Sequence, residues 1–240
     1  MPLQNRVDPF GELFAAPARG LLMGNRGGRI HDDRRELATR RWASKQWICC
    51  QLDFHNRHRK VWGDSYTELF FLDEVTAFAA GHRPCFECRR KDAEDFAALF
   101  AGADPNSAHS RASGNPEFHS QAHKFVSLGP RLRGDERSHG ERASASAMDK
   151  VLHAERLDGK RKRLHRLALD ALPDGAMVAR AGKAFARCGN RLLPWSPKGY
   201  GEPQPLPDVW DIDVLTPPSI LAVLARGYRP LWHPSAASMK

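Results

Sequence analysis

Residues 81–90 read GHRPCFECRR, and this stretch carries a Cys-x-x-Cys pair formed by Cys85 and Cys88. A second pair, Cys49 and Cys50, ends a short hydrophobic run upstream, so four of the five cysteines in the chain fall into two neighbouring pairs. Two thiol pairs that are brought together can supply a tetrahedral zinc site, because the sulfurs of a Cys-x-x-Cys turn can bind one metal ion. The sequence therefore predicts a zinc site around which this part of the chain folds.

The upstream pair is expected to give only one of its thiols to that site. Successive side chains of a β-strand point to opposite faces, so Cys49 and Cys50 do not both face one metal, and Cys50 is the stronger candidate. With Cys85 and Cys88 this makes three thiolates. The alternative for the downstream pair is two buried apolar cysteines beside a turn. The fourth ligand stays open among three residues that follow closely in sequence: Asp53, His55 and His58.

The pattern around these cysteines extends beyond the pairs themselves. Residues 66–72 predict a strand that ends in paired aromatic residues, a short helix follows, and then comes the GHRPCFECR segment. This arrangement resembles the zinc module of the bacterial Ada family, which repairs methyl phosphotriesters in DNA and carries a Gly-aromatic-Arg-Pro-Cys-x-x-Cys-Arg signature. The aromatic position is occupied by His82, and the resemblance covers about residues 45–92. The signature is matched at Gly81, Arg83, Pro84, Cys85, Cys88 and Arg89.

The resemblance implies zinc binding, DNA recognition and DNA repair. In the family a zinc-bound thiolate accepts a methyl group from an alkylated backbone phosphate, and Cys50 is the residue to which this role carries over. The upstream half departs from the family, which has Cys-x-x-x-Cys where this chain has the adjacent pair Cys49 and Cys50. The spacing to Cys85 is also longer, because a basic segment, residues 55–60 (HNRHRK), lies between them.

Length and hydropathy limit the class of protein. A chain of 240 residues with 41% hydrophobic content can fold as one large domain or two small ones. It contains no apolar run of about 18 residues, and its N-terminus lacks the basic and then apolar pattern of a signal peptide. We therefore expect no membrane span and residence in the cytoplasm, where thiols stay reduced and metal sites are favoured over disulfides.

The charge balance suggests a class of partner. The formal net charge is +9, and a basic excess of this size is typical of proteins that bind a phosphate-rich partner. DNA is the candidate partner, the alternative is a basic surface that binds nothing, and the oligomeric state is not predicted. The candidate nucleic-acid contacts are Arg26, Arg57, Arg59, Lys60, Arg83, Arg89, Arg90, Arg161 and Arg163.

The predicted fold class is α+β, in which a small Ada-like zinc module packs with a mostly β portion built from the N- and C-terminal segments. N-terminal strands at 1–44 join the β portion, the zinc module spans 45–102, and a β-rich portion with one terminal helix spans 148–240. Between them, residues 103–147 are rich in Ser, Gly, His and Arg without hydrophobic periodicity, which predicts a disordered insert. Parts of this insert resemble a translated palindromic repeat.

Local patterns predict the individual elements. Helices are predicted at 73–80, with Asp73 as N-cap and Gly81 closing the helix, and at 91–100, 148–153 and 219–225. Strands are predicted at 47–54, 66–72, 176–179 and 184–188. The proline-rich and aromatic segment 192–201 predicts a loop.

Two other classes of function remain open from sequence. One is a metal-dependent nuclease or nucleotide-processing hydrolase, for which His31, His153 or His165 would act near a zinc cleft. The other is a non-enzymatic, zinc-stabilised interaction protein. No catalytic residue is assigned, and the cofactor expected in all three cases is Zn²⁺.

Overall fold

The computed structural model describes residues 2–56, 60–101, 142–208 and 211–239 of the chain. In these residues it contains two main β-sheets, a two-stranded ribbon and four α-helices. The predicted α+β class is confirmed. None of the helices in these ranges combines the length and the apolar composition needed to cross a bilayer.

The first sheet holds six strands and carries the cysteines. The central pair, β3 and β4, is antiparallel, whereas β4 and β6 run parallel. The strands follow the order β2-β1-β5-β3-β4-β6 across the sheet. In chain order they are β1 (Arg6–Val7), β2 (Leu13–Phe14), β3 (Leu22–Arg26), β4 (Trp47–Gln51), β5 (Leu69–Phe71) and β6 (Arg83–Pro84).

The N-terminal strands differ from the expectation that they would complete a β portion with the C-terminal segment. They pair within the first sheet instead, because β3 inserts between β4 and β5 and hydrogen-bonds to both. Strand β1 then pairs in parallel with the outer side of β5. The segment that contains the cysteines therefore depends on residues 6–26 to complete its sheet.

The second sheet is antiparallel and is built from the C-terminal part of the chain. A separate ribbon is formed by β7 (Leu157–Asp158) and β8 (Arg161–Lys162). The sheet order is β13-β12-β11-β10-β15-β9, with β14 also paired to β12. The strands are β9 (His165–Ala168), β10 (Met177–Arg180), β11 (Lys183–Cys188), β12 (Arg191–Ser196), β13 (Gly199–Tyr200), β14 (Gln204–Pro205) and β15 (Asp211–Val214).

Segment 192–201, predicted as a loop, is a hairpin of β12 and β13 instead. Proline is usually a strand breaker because it has no N–H to donate. At Pro194 the carbonyl accepts a hydrogen bond from the Gly201 N–H at 2.8 Å, so this side of the strand stays paired without a proline donor. The turn residue Gly199 has φ +136°, which suits glycine.

The helices agree with the sequence patterns apart from their ends. They are α1 (Glu74–Ala79), α2 (Arg90–Ala101), α3 (Ala145–Arg156) and α4 (Pro218–Ala225), with short 3-10 helices at Leu169–Ala171 and Pro234–Met239. Asp73 caps α1 as predicted, since its carboxylate accepts from the Thr76 N–H at 2.9 Å. Helix α3 includes the last three residues of the predicted insert, and residues 103–141 of that insert lie outside the described ranges.

The helices share one apolar core. In α2 the buried residues follow the i, i+3, i+4, i+7 spacing of a helix that buries one face. They pack against apolar residues of α3 and α4 and against Phe78 of α1. The buried residues of α2 in this core are Ala93, Phe96, Ala97 and Phe100.

Helix α1 also connects the first sheet to the C-terminal part of the chain. The buried carboxylate of Asp73 accepts hydrogen bonds from the Tyr200 hydroxyl at 2.8 Å and from the His233 N–H at 3.0 Å. Next to it, Glu74 accepts from the Tyr228 hydroxyl at 3.0 Å. Hydrogen bonds to charged groups contribute about 1.5–3 kcal/mol each, so these contacts hold the two parts of the molecule around the N-terminus of α1.

Candidate metal centre

Three of the cysteines lie together. The sulfur atoms of Cys50, Cys85 and Cys88 are all within 4.8 Å of one another. Cys50 is near the end of β4, and the other two follow β6 and precede α2. The parallel pairing of β4 and β6 brings them together, because the Cys85 N–H donates to the Cys49 carbonyl at 3.0 Å. The predicted grouping of these three cysteines is thus present in the structure.

Cys49 faces the other side of the sheet, as the alternation of side chains along a strand requires. It is completely buried, and its sulfur accepts a hydrogen bond from Arg89 at 3.3 Å. Burial raises the pKa of the Cys49 thiol, so this group stays neutral. Of the four cysteines named as candidate ligands, Cys49 is the one that lies outside the group.

The three grouped thiols lie within hydrogen-bonding contact of one another and shift each other's pKa. The pKa of Cys85 is lowered to about 2, chiefly because Cys50 and then Cys88 donate hydrogen bonds to its sulfur. The same contacts raise the pKa of the Cys50 thiol. The three sulfurs are therefore close enough to share hydrogen bonds, an arrangement in which a cation can replace thiol protons.

The spacing of the three sulfurs is compatible with zinc. Sulfurs that share a tetrahedral zinc at bond lengths of about 2.3 Å lie about 3.8 Å apart. The limit of 4.8 Å between the thiols of Cys50, Cys85 and Cys88 requires only small side-chain rotations to reach that geometry. Thiolates are also the ligands that select zinc over magnesium or calcium. The donor set therefore fits a zinc ion.

The described residues supply no fourth ligand. Asp53 and His55 are exposed and do not belong to the group of thiols, and His58 lies outside the described ranges.

The histidines that the sequence offered for a hydrolase do not belong to the group of thiols either. His31 contacts Thr67 and the Gly63 carbonyl through its two ring nitrogens. His153 contacts Arg156, and His165 contacts the Glu155 carbonyl.

The three thiols form part of the wall of a cavity of about 750 Å³. This volume is in the range of sites for small molecules and cofactors, about 300–1,000 Å³. One face of the first sheet forms the floor, through alternate residues of β3, β4 and β5, and aromatic side chains from the adjoining loops complete the wall. The apolar and aromatic lining residues are Met23, Ile48, Phe54, Tyr66, Phe70 and Phe86.

Glu68 is a site residue that the sequence analysis missed. It lines the same cavity and is only 2% exposed. Its Oε2 accepts from the Trp62 N–H at 2.7 Å, whereas its Oε1 has no hydrogen-bond partner in the part of the chain that the structure describes. A buried, half-satisfied carboxylate is costly and is often functional. The signal in the sequence was a single acid in an otherwise apolar predicted strand, residues 66–72.

Two of the arginines beside the cysteines are buried and form ion pairs with carboxylates of the protein. Arg83 is 1% exposed and forms a bidentate pair with Asp149, with N–O distances of 2.9 and 2.8 Å. Arg89 is buried as well and pairs with Glu74 and Asp92, each at 2.7 Å. Their charges are already matched by carboxylates, so these side chains are not available to an external phosphate, contrary to the expectation.

The other candidate nucleic-acid contacts fall into three groups. Arg26 is buried on the face of the first sheet that carries Cys49. Arg57 and Arg59 lie outside the described residues. The remaining four are exposed: Lys60, Arg90, Arg161 and Arg163.

Comparison of the chain with protein-family models, with curated proteins and with solved structures finds no match. A function must therefore be argued from the site itself. The site consists of three thiols that fit a metal ion, a cavity of ligand size and a buried carboxylate in the wall of that cavity.

Proposed function

We propose that the protein binds one zinc ion through Cys50, Cys85 and Cys88, and that it is a hydrolase for a nucleotide or a nucleic-acid base held in the adjoining cavity. The observation that carries this proposal is the position of the three thiols in the wall of a cavity of about 750 Å³. A metal site on a cavity wall can meet a substrate, whereas a site closed within the protein cannot.

The number of ligands supports a catalytic site. Structural zinc sites in proteins are almost always closed by four protein ligands, whereas catalytic sites have three and keep one position for water or substrate. The described residues provide three. Zinc in such a site lowers the pKa of water at its open position and so supplies a nucleophile at neutral pH.

Glu68 supplies the acid–base group in this proposal. Zinc held by three thiolates occurs in nucleobase deaminases, in which a glutamate that is not a ligand transfers the protons. Glu68 lines the cavity, is not one of the grouped ligands, and has one carboxylate oxygen without a partner among the described residues. The Trp62 N–H holds the Oε2 of Glu68 in place. In this proposal its Oε1, which is buried in the cavity wall, takes a proton from water that enters with the substrate and returns it to the leaving group.

The lining of the cavity favours an aromatic base as substrate. Phe54, Tyr66, Phe70 and Phe86 offer rings for stacking, which contributes about 1–3 kcal/mol per base in nucleic-acid complexes. Asn25 and Gln51 add amides that can form hydrogen bonds. The net charge of +9 favours a substrate that carries phosphate.

Metal analysis tests the first half of the proposal. We expect one zinc per wild-type chain by elemental analysis and none in Cys85→Ala. Cys188→Ala is the matched control, because Cys188 lies in β11 of the second sheet, and it should retain the metal. A folded wild-type protein that binds no zinc after incubation with the ion would exclude the proposal.

Substitution of Glu68 tests the second half. Glu68→Gln keeps the shape of the side chain and removes its basicity, so we expect zinc content to be unchanged. Hydrolysis, assayed as ammonia or phosphate release from a panel of nucleosides and nucleotides, should fall by about 10²–10⁴-fold. Equal rates in Glu68→Gln and wild type would show that this carboxylate does not transfer protons.

A second candidate function is favoured by the position of one sulfur. Cys50 is both a member of the thiol group and a lining residue of the cavity, as the Ada resemblance requires of a methyl acceptor. In this reaction the Cys50 thiolate, which zinc keeps deprotonated, forms an S–CH₃ bond with a methyl phosphotriester. The O–CH₃ bond breaks, and the phosphodiester leaves as an anion with the electron pair.

The two candidates are separated by stoichiometry. A methyl acceptor is consumed, so incubation with DNA that contains methyl phosphotriesters should add one methyl group to Cys50, detected by peptide mass spectrometry, and Glu68→Gln should react equally well. A hydrolase turns over many times and depends on Glu68. An unmodified Cys50 after prolonged incubation would exclude the methyl acceptor.

A further inference from the structure

The opposite face of the first sheet contains a second, much smaller cavity with a strongly basic lining. Its volume is about 20 Å³. It lies against Trp47 of β4, and its lining combines residues of β3, α3 and β8 with the loop before β4 and the segment between β1 and β2, which contributes the acid Glu12. The cationic residues in this lining are Arg26, Arg41, Arg156, Lys160 and Lys162.

Two of these arginines are buried against one tryptophan. Arg26 is 2% exposed and Arg156 is 1% exposed, and their guanidinium carbons lie 4.1 and 3.9 Å from the Trp47 ring. The terminal nitrogens of Arg26 donate to backbone carbonyls, including that of Gly11 at 2.7 Å. Those of Arg156 donate to the Gly81 carbonyl at 2.9 Å and to the Lys45 carbonyl at 2.7 Å. Both charges are therefore solvated by dipoles rather than by carboxylates.

Lys162 brings a third positive charge to the same place. Its partly buried amine donates to the Ala79 carbonyl. In the described ranges no carboxylate lies within 4.0 Å of the charged nitrogens of Lys162, Arg26 or Arg156. Carboxylates act on these cations from farther away: Glu12, which lines the cavity, raises the pKa of Arg26, and Asp8 raises those of Arg26 and Lys162. Glu12 pairs with Arg41, and Asp149 pairs with Arg83.

The pKa values of the three cationic side chains are lowered by burial and by their neighbouring positive charges. Burial and then the charge of Arg41 lower the pKa of Arg26 to about 9, and burial and then Arg26 lower that of Arg156 to about 8. Burial, followed by Arg156 and Arg26, lowers the pKa of Lys162 to about 7. His82, which packs on Trp47, is kept neutral because burial lowers its pKa well below the ordinary value.

Two donors of the arginines that line this cavity have no acceptor among the described residues. The Nε atoms of Arg26 and Arg156 are buried, and neither has a hydrogen-bond partner in the part of the chain that the structure describes. Buried donors of this kind usually have water or an ion as partner. Three cations without a direct ion pair among the described residues add a reason for that partner to be negative, because it is costly to bury a charge without a counter-charge in contact.

We propose that this cavity binds one monoatomic anion of the size of chloride between Arg26, Arg156 and Lys162. The cavity exceeds the roughly 10–15 Å³ that a single water-sized sphere requires, and at about 20 Å³ it is too small for a nucleotide. The anion accepts from the free Nε–H groups and supplies the charge that the surrounding carboxylates do not. This site is separate from the thiol group and does not depend on the zinc proposal.

Anomalous scattering from bromide tests the position directly. Crystals of the full chain soaked in sodium bromide should show a peak in the cavity between Arg26 and Arg156. This experiment needs no variant, so it does not depend on whether a substituted chain folds. Bromide found only at the protein surface, with water or no density in the cavity, would overturn the proposal.

Thermal unfolding tests the energetic consequence. Chloride is varied at constant ionic strength against gluconate, which is far too large for the cavity. The midpoint of the wild type should rise by about 3 °C once chloride exceeds its Kd tenfold. Lys162→Met should lose most of this response, and Arg161→Gln, an exposed cation in the same strand, should keep it. A wild-type midpoint that does not change with chloride, or an equal response in Lys162→Met, would contradict the assignment.

Discussion

The two faces of strand β4 differ in charge preference, although adjacent residues of the strand form them: one face favours a cation and the other an anion. Ile48 and Cys50 face the large cavity, where thiols and a free carboxylate favour a cation. Trp47 and Cys49 face the other side, where two guanidinium groups pack on the Trp47 ring and Cys49 accepts from Arg89. The strand therefore separates a candidate metal site from a candidate anion site by the thickness of one sheet.

The comparison extends to β3, the partner of β4. Asn25 lines the large cavity, and the next residue, Arg26, lines the small one. Residue type alone does not separate Cys49 from Cys50, since both are thiols in the same strand. The face on which a side chain lies decides whether it binds a ligand or packs in the core.

The largest effect is expected where the comparison is most direct, at the two adjacent cysteines. Cys50→Ser removes a ligand, so zinc content should fall from one per chain to background by elemental analysis. Cys49→Ser keeps an acceptor for Arg89 on the opposite face, so it should retain zinc and lose only about 1 kcal/mol in the free energy of unfolding. Loss of zinc in both variants, or in neither, would mean that the alternation along β4 does not define the metal site.

The next prediction concerns the other pair of neighbours. Trp47→Ala removes the ring that supports two buried guanidinium groups, and we expect the free energy of unfolding to fall by about 4 kcal/mol in urea denaturation. Ile48→Ala on the half-exposed cavity side should cost about 1–2 kcal/mol. Zinc content per folded chain should be unchanged in both. Equal costs for the two substitutions would contradict the view that the Trp47 face is the structural one.

A smaller effect is expected from the ion pair that links the two regions. Arg83 of β6 lines the large cavity, and its partner Asp149 belongs to α3, which also carries Arg156. Arg83→Gln leaves a buried carboxylate without its partner, so the free energy of unfolding should fall by about 3 kcal/mol.

A double-mutant cycle checks that this cost arises from the pair. Addition of Asp149→Asn to Arg83→Gln should restore part of the stability, and Arg90→Gln at an exposed neighbouring site should cost less than about 0.5 kcal/mol. Additive costs in the cycle would show that the two side chains stabilise the fold independently.

The elements that were predicted from sequence depend on local signals. Asp73 caps α1 through the Thr76 N–H, and the three-residue spacing of Ala93 and Phe96 indicates the buried face of α2. The pairing of β1 and β2 could not be predicted in this way, because each has only two residues and its partner is set by tertiary contacts. The position of β3 between β4 and β5 is likewise a long-range result.

The same limit applies to the sites. The group of Cys50, Cys85 and Cys88 followed from the Cys-x-x-Cys turn and from alternation along a strand, which are local rules. The burial of Arg83 did not, because its partner Asp149 lies 66 residues away in the chain. A cationic side chain looks the same in a sequence whether it pairs internally or faces solvent, so charge alone did not reveal that Arg83 and Arg89 are buried.

The smallest predicted effect concerns the pH dependence of the anion side of the sheet. The pKa of Lys162 is about 7 in the folded chain and near its ordinary value of 10.5 when unfolded. Between these values the unfolded chain binds more protons, so the free energy of unfolding rises with pH. The rise from pH 7 to pH 9 should be larger for wild type than for Lys162→Met, in which the groups that act on this amine, Arg26, Arg156 and Asp8, remain but the amine does not titrate. Saturating chloride favours the charged amine and should reduce the difference, whereas parallel profiles with and without chloride would show that Lys162 and the anion are not coupled.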